Sequence, residues 1–330
     1  MTLRVLVTGA GGPAGVAVIR SLLRRDDLTV LAADMDGWAS GLYLVPAEQR
    51  RLVEPGAAPV FVPALAALVA QDAIDVVVST VDVELAALAD RRDELAPAVL
   101  AAPSTDTLTT CLDKLALAER CLGTGRVPRT VLAGTDANAV DWHFPVFAKP
   151  RSGAGSRGVR TVPDRAALEA LPLDEGLIVQ DLLPGDEYSV DVLADAEGNV
   201  VAAVPRVRAR VDSGVAIAGR TVHDPELEET AASVARAVGL VGVANVQLRR
   251  DRTGRAMLLE VNPRFPGALP LTIAAGVDIP SLVVDLFTGR ALPERVPFRE
   301  VASVRFLEDV VLDPAEVLVS QHAGHQDEAL

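Results

Sequence analysis

Residues 3–8 read LRVLVT, apolar and β-branched, and stop at a cluster of glycines. A helical pattern of apolar positions then runs from Pro13 to Arg25. Thr29 to Ala33 is a second apolar strand, ending at Asp34. Ile74 to Ser79 is a third, followed by a helix through Asp90, and Ala98 to Ala101 is a short fourth. Strands that alternate with helices predict a parallel sheet covered on both faces. The first 107 residues therefore read as a small doubly wound α/β unit.

After residue 107 the pattern changes. Thr105 to Leu122 reads as one helix. Leu177 to Asp181, Glu187 to Ala194 and Val200 to Arg208 read as strands, and the last two flank a turn at Asp195-Ala196-Glu197-Gly198-Asn199. Val243 to Arg249 and Ala256 to Val261 form a second hairpin, turning at Asp251-Arg252-Thr253-Gly254. Pro225 to Val238 lies between the two hairpins as an amphipathic helix. This is an α+β region with antiparallel strands. The polar segment from Ser320 to Leu330 reads as a frayed tail.

Composition narrows the partners. Lys plus Arg is 31 and Asp plus Glu is 45, for a net charge of −14. A net acidic chain is repelled by phosphate backbones and anionic lipids, which argues against nucleic acid as a partner. The mean hydropathy of +0.30 raises the question of a membrane. The longest apolar stretch, Pro55 to Ala70, is interrupted by Pro59 and Pro63 and falls short of the roughly 20 residues a spanning helix needs. The N-terminus enters a strand directly, without a targeting pattern. Cys111 and Cys121 read as small helix residues in a reducing compartment. The expected location is the cytoplasm, without a membrane partner.

Two regions carry candidate chemistry. Gly9, Gly11, Gly12 and Gly15 lie between a strand and a helix, where backbone can approach a phosphate, and Asp34 ends the next strand, where a ribose-binding acid would sit. One reading is a dinucleotide site and an NAD-dependent oxidoreductase. The spacing would suit an extended short-chain dehydrogenase, which needs a Tyr with a Lys four residues later. Ala47 and Val192 stand four residues after Tyr43 and Tyr188. The other reading is a tight strand-to-helix turn.

The second region is central. Phe144 to Pro150 reads FPVFAKP, a buried strand ending in Lys149, and Ser152-Gly153-Ala154-Gly155-Ser156-Arg157-Gly158 follows. A lysine ahead of a glycine loop suits a nucleoside triphosphate: the ammonium meets phosphate oxygens and the loop offers N–H donors. Glu260, Asn262 and Arg264 alternate in EVNPR, so they project to one face. Two hard oxygen ligands and a guanidinium suit Mg²⁺ on a polyphosphate. Gln247, on the partner strand, can face the same side.

On these motifs the chain resembles the ATP-grasp superfamily, and most of all the branch of the carbamoyl-phosphate synthetase large subunit with its single-module ligase relatives. The resemblance extends to about Pro314. It implies an α/β fold with a Rossmann-like preceding domain over 1–107, a linker helix and small lobe over 108–182, a large lobe over 183–318 and a flexible tail over 319–330. It favours the tight-turn reading of the Gly9 cluster. It implies that Lys114 and Lys149 contact ATP phosphates under the mobile loop of Ser152, Gly153, Gly155, Ser156 and Gly158. Gln180, Asp181, Leu182 and Leu183 match the hinge that reads adenine, and Glu187 the acid that holds ribose. Asn245-Val246-Gln247 and the EVNPR strand match the metal ligands, with Gln247, Glu260 and Asn262 on Mg²⁺ (or Mn²⁺) and Arg264 on phosphate. Asp181 stands where the hinge usually has Glu, and Gln247 where the first metal ligand is often acidic.

The implied reaction is a ligation. A small, amino-acid-like carboxylate takes the γ-phosphate of ATP, and an amine then displaces phosphate; Arg264 and Lys149 serve the transfer. The alternative within ATP chemistry is phosphorylation of bicarbonate or carbamate. For the acceptor site, Arg206, Arg208 and Arg210 alternate on one strand and are expected to share a face, with Ser213 next to them. Gly267 follows the metal strand, and Glu84 sits where a parallel sheet binds ligands. A homodimer is a common arrangement in that superfamily.

Overall fold

A computed structural model describes residues 2–319 apart from 154–157, 173, 175 and 213. Its first sheet is parallel, with strands β1 (Leu3–Thr8), β2 (Leu28–Asp34), β3 (Arg50–Leu52), β4 (Val76–Ser79) and β5 (Val99–Leu100) in the order β3-β2-β1-β4-β5. Alternation along β1 places Val5 and Val7 against helix α1 (Pro13–Leu22) and Leu6 against α2 (Phe61–Gln71) and α3 (Asp82–Leu88) on the opposite face. The turn into α1 is tight. A Cβ at Gly15 would lie 2.1 Å from the Gly9 carbonyl oxygen.

The stretch expected to form one helix over 105–122 is two, α4 (Thr105–Leu112) and α5 (Lys114–Cys121). Asp113 breaks it. Its backbone is extended (φ −112°, ψ 108°), and its carboxylate accepts from the amides of Leu115 and Ala116 at 3.0 and 3.2 Å. A carboxylate at a helix start satisfies orphan N–H groups better than it serves mid-helix. The break makes Lys114 the first residue of α5.

The second sheet holds β6 (Thr130–Leu132), β7 (Val146–Pro150), β8 (Arg160–Val162) and β9 (Leu177–Asp181) in the order β6-β9-β7-β8. Val146, Ala148 and Val179 face a small core that includes α6 (Thr135–Ala139) and α7 (Arg165–Glu169). Period two therefore turns Phe147, Lys149 and Gln180 to the other face.

The third sheet is antiparallel: β10 (Glu187–Ala194), β11 (Val200–Asp212), β12 (Val215–Thr221), β13 (Gly242–Arg250), β14 (Ala256–Asn262) and β15 (Ala302–Val304), in the order β14-β13-β10-β11-β12-β15. Both expected hairpins form. One face carries Val190, Val192, Val246 and Leu248 onto α8 (Pro225–Ala237). The opposite face is apolar at one end, where Leu193, Val204 and Val243 pack with α1, α9 (Leu269–Ala274) and α10 (Ile279–Phe287). At its other end the same face is polar. Beyond β15 the chain returns to the first sheet, through Glu308 on Arg20 at 2.7 Å and the Leu318 amide on the Tyr43 hydroxyl at 3.1 Å. Among the described residues no helix is long and apolar enough to cross a membrane.

Candidate functional site

The polar end of the third sheet and the Lys149 face of the second sheet enclose a cavity of about 490 Å³. Lys149 is buried in its wall, and its ammonium donates to Gln180 Oε1 at 2.8 Å. Gln180 Nε2 in turn donates to Thr130 Oγ1 at 2.8 Å. Burial pulls the Lys149 pKa down to about 8; Glu260 opposes the shift and Lys114 adds to it. Lys114 lines the same cavity and donates to the Gly153 carbonyl at 2.7 Å.

Five adjacent strands, β14, β13, β10, β11 and β12, supply the facing wall. Gln247 and Glu260 pair directly across β13 and β14, and Asn245 pairs with Asn262. All four line the cavity. A register shift between Gln247 and Leu248 turns Leu259 inward beside Glu260. Asn262 Nδ2 donates to Glu260 Oε1 at 3.2 Å. Among the described residues no group of three or more His, Cys, Asp or Glu side chains is arranged so that it could hold a metal ion by itself. The donor set is one carboxylate with amide oxygens, hard ligands that suit Mg²⁺ sharing its coordination with phosphate oxygens.

Arg264 also lines the cavity. Its Nε lies 2.9 Å from Asp82 Oδ1, a buried oxygen with no aligned hydrogen bond. The contact is an ion pair off the donor's line. It joins the first turn of α3 to the end of the EVNPR strand.

Several expectations need correction. Arg206, Arg208 and Arg210 do not share one face, because β11 is irregular between Arg208 and Val211. Arg206 and Arg208 line the cavity, whereas Arg210 is exposed and does not. Arg206 is also spoken for: it is buried in a bidentate pair with Asp191, at 3.0 and 2.6 Å. Asp191 accepts from Asn245 Nδ2 at 2.7 Å and from the Thr272 hydroxyl as well. Arg208 pairs with Glu187 and donates to the Gly214 carbonyl at 2.9 Å. Glu84 does not line the cavity. It is buried, accepting from the hydroxyls of Thr8 and of Ser79 (2.7 Å), and burial pushes its carboxyl above the usual range. Asp34 Oδ2 accepts from the Gly11 amide at 2.8 Å, so the strand-end acid ties the glycine turn itself.

Other expected residues scatter around the rim. Ser152, Gly153, Glu187 and Gly267 line the cavity with Gln180; Gly158, Asp181, Leu182 and Leu183 do not. Asp181 pairs with Arg129 at 3.1 Å, and Leu183 is buried. Gly155, Ser156 and Ser213, and the tail from Ser320, lie outside the described residues. Asp82, Asp191 and Ser189 are additional polar residues that sequence reasoning passed over. For Asp191 a signal existed: an acid two positions from Ser189 and four from Glu187 on an expected strand shares their face.

Residues 174–310 match the family described as "ATP-grasp in the biosynthetic pathway with Ter operon". In overall shape the chain is similar to a Campylobacter jejuni biotin carboxylase solved as a β,γ-ATP complex, with a TM-score of 0.72 and 19% identity, covering 88% of this chain and 72% of that one. The fold is the ATP-grasp fold. In sequence the chain is 26% identical over 159 residues to the 3-methyl-D-ornithine–L-lysine ligase of Methanosarcina mazei, covering 46% of this chain and 42% of that protein. It is 29% identical over 200 residues to the carbamoyl phosphate synthase large chain of Halobacterium salinarum, covering 56% of this chain and 19% of that protein. The chain thus spans less than half the length of either relative.

Proposed function

We propose that this protein is an ATP-dependent carboxylate–amine ligase acting on a small, amino-acid-like acid. The observation that carries the reading is the pairing of two opposed walls in one cavity: lysines 114 and 149 on one side, Gln247, Glu260, Asn262 and Arg264 on the other. ATP would lie between them, with Glu187 at the ribose and Gln180, the hinge residue that lines the cavity, toward the base. Gln247, Glu260 and Asn262 would hold Mg²⁺, which supplies charge compensation for the phosphates. The parallel sheet would be the Rossmann-like preceding domain, with boundaries near residues 107 and 182.

In the reaction a carboxylate oxygen of the acid attacks the γ-phosphorus, and the bond to the ADP oxygen breaks. Lys114, Lys149 and Arg264 stabilise the negative charge carried over during transfer. The amine nitrogen then attacks the acyl carbon, loses a proton, and phosphate leaves with the electrons of the C–O bond. Arg264 stands at the end of the metal strand, where it would stabilise the oxyanion; one such donor contributes about 3 kcal/mol. The protein's share of the work is alignment and charge neutralisation, and no side chain needs to become covalently attached.

The test is ADP release from Mg-ATP with pooled amino acids, small hydroxy and dicarboxylic acids, and separately bicarbonate with ammonia. Products are weighed by mass spectrometry. ADP formed together with a product one water lighter than acid plus amine supports the ligase. ADP formed only with bicarbonate moves the protein to carbamoyl-phosphate-type chemistry. Lys149→Ala is expected to abolish turnover while the protein stays folded, and retained turnover rejects the assignment.

A further inference from the structure

The arginines around the cavity differ in what neutralises them. Arg206 has Asp191, Arg208 has Glu187 and Arg264 has Asp82. Arg249, also in the lining, donates to the Gly185 carbonyl at 2.8 Å, and Arg305, outside the lining but against its Gly267, has no carboxylate partner among the described residues. Its backbone amide extends the β12–β15 pairing by donating to the Ile217 carbonyl at 2.8 Å, and its guanidinium donates to the Gly267 carbonyl at 2.6 Å. The residue as a whole is solvent-accessible, yet atoms crowd its head enough for desolvation to pull its pKa below the usual arginine range. It is an exposed cation beside the cavity wall at Gly267, with donors left over from its bond to that carbonyl.

Asp82 is the complementary case. One oxygen is buried against Arg264, while 27% of the side chain remains accessible. The carboxylates nearby are otherwise committed: Glu187 to Arg208, Asp191 to four donors, Glu260 to the Asn262 amide. Asp82 and Arg305 both touch the stretch from Arg264 to Gly267, three peptide steps that span at most about 10 Å. That stretch also packs against the first sheet where its strand order reverses. A Cβ at Gly267 would meet Pro13 at 3.6 Å, and Pro13 opens α1 after β1 as Asp82 opens α3 after the neighbouring β4. Open parallel sheets bind ligands at such a reversal.

We propose that Asp82 and Arg305 form a zwitterion subsite flanking residues 264–267, and that it seats an α-amino acid as the amine substrate, ammonium on Asp82 and carboxylate on Arg305. The assignment to the amine partner rests on the ligase reading above. The acid's own carboxyl is consumed by phosphorylation, so a carboxylate that must be held throughout belongs to the nucleophile. Its nitrogen has to reach an acyl carbon beside Arg264, and Asp82 stands against Arg264. The product would then be a dipeptide-type amide with a free carboxylate.

Calorimetric titration of the full chain loaded with Mg-ADP tests this, first with the proteinogenic L-amino acids and then with the carboxamide and the N-acetyl derivative of the tightest binder. Wild type is expected to bind each derivative at least tenfold more weakly than the free amino acid. Arg305→Gln should bring the acid-to-amide ratio within about twofold of one and keep discrimination at the amine; Asp82→Asn should do the converse. Unchanged ratios in both variants, no discrimination by wild type, or no amino acid bound overturns the subsite. ADP release with an acid and hydroxylamine, a nucleophile with no carboxylate, reads the ligase assignment separately. Release without amino-acid binding rejects only the subsite. Discriminating binding without ADP release from any acid rejects only the ligase.

Discussion

Lys149 sits in a contradiction that its surroundings only half resolve: a buried ammonium with an amide oxygen as its hydrogen-bond partner. Its folded-state pKa of about 8 is below the ordinary 10.5, so between those values the unfolded chain holds a proton that the folded chain lacks. Stability from this group therefore rises with pH across that window. Mg-ATP affinity should run the other way, because only the charged amine attracts phosphate. Titrations from pH 7 to 9.5 should show the dissociation constant rising above pH 8 in wild type, and Lys149→Met should flatten that rise while weakening binding throughout. A wild-type profile flat across pH 8 would remove Lys149 from the phosphates. Asp191 makes a second residue-scale prediction. Removing a charge from a buried pair leaves its partner uncompensated, at about 3–5 kcal/mol. Asp191→Asn should lower unfolding stability in urea by that order, whereas Arg210→Gln, on the exposed side of the β11 irregularity, should change it by less than about 0.5 kcal/mol.

Among the elements, β1, β2, β4, β5, β7, β9 and the two hairpins were legible because apolar alternation and turn residues coincide, whereas β3, β6, β12 and β15 were not anticipated. Glu260, Asn262 and Gln247 meet because period two and one hairpin register suffice to bring them together. Residue spacing could not reveal the β11 irregularity, since strict alternation over Arg206, Arg208 and Arg210 assumes an unbroken ladder. The break at Asp113 was hidden by continuous helical periodicity; only the capping preference of aspartate hints at it. The break also aims Lys114, whose helix begins at the capped position, so the cap is tied to the cavity. Asp113→Ala should cost about 1–2 kcal/mol of stability from the lost cap, and it should weaken Mg-ATP binding by more than a surface helix substitution such as Glu119→Ala. Urea unfolding and nucleotide titration of the two variants check both parts. Equal nucleotide affinities would separate the cap from the site.

At the scale of the whole molecule, a single core cluster joins the parallel sheet to the apolar end of the antiparallel sheet, and the stretch after β15 closes back over the first sheet. None of that long-range packing is encoded in local periodicity. It accounts for how Asp82 and Arg264, 182 positions apart, come to touch. Gly37 shows how close the returning segment lies: a Cβ there would stand 1.8 Å from the Leu318 carbonyl oxygen. Gly37→Ala should therefore lift the segment and speed proteolysis within residues 305–318 several-fold, while an unchanged cleavage rate would mean that the segment is held elsewhere.

The most direct trial of the ligase reading is trapping of the activated acid. The full chain would be incubated with Mg-ATP, the proteinogenic L-amino acids and hydroxylamine, and ADP and hydroxamate would be quantified together. An acyl phosphate predicts ADP and an amino-acid hydroxamate in equal amounts, both lost in Lys149→Ala and Glu260→Ala. ADP without hydroxamate, or equal yields in wild type and both variants, would contradict carboxylate activation at this cavity.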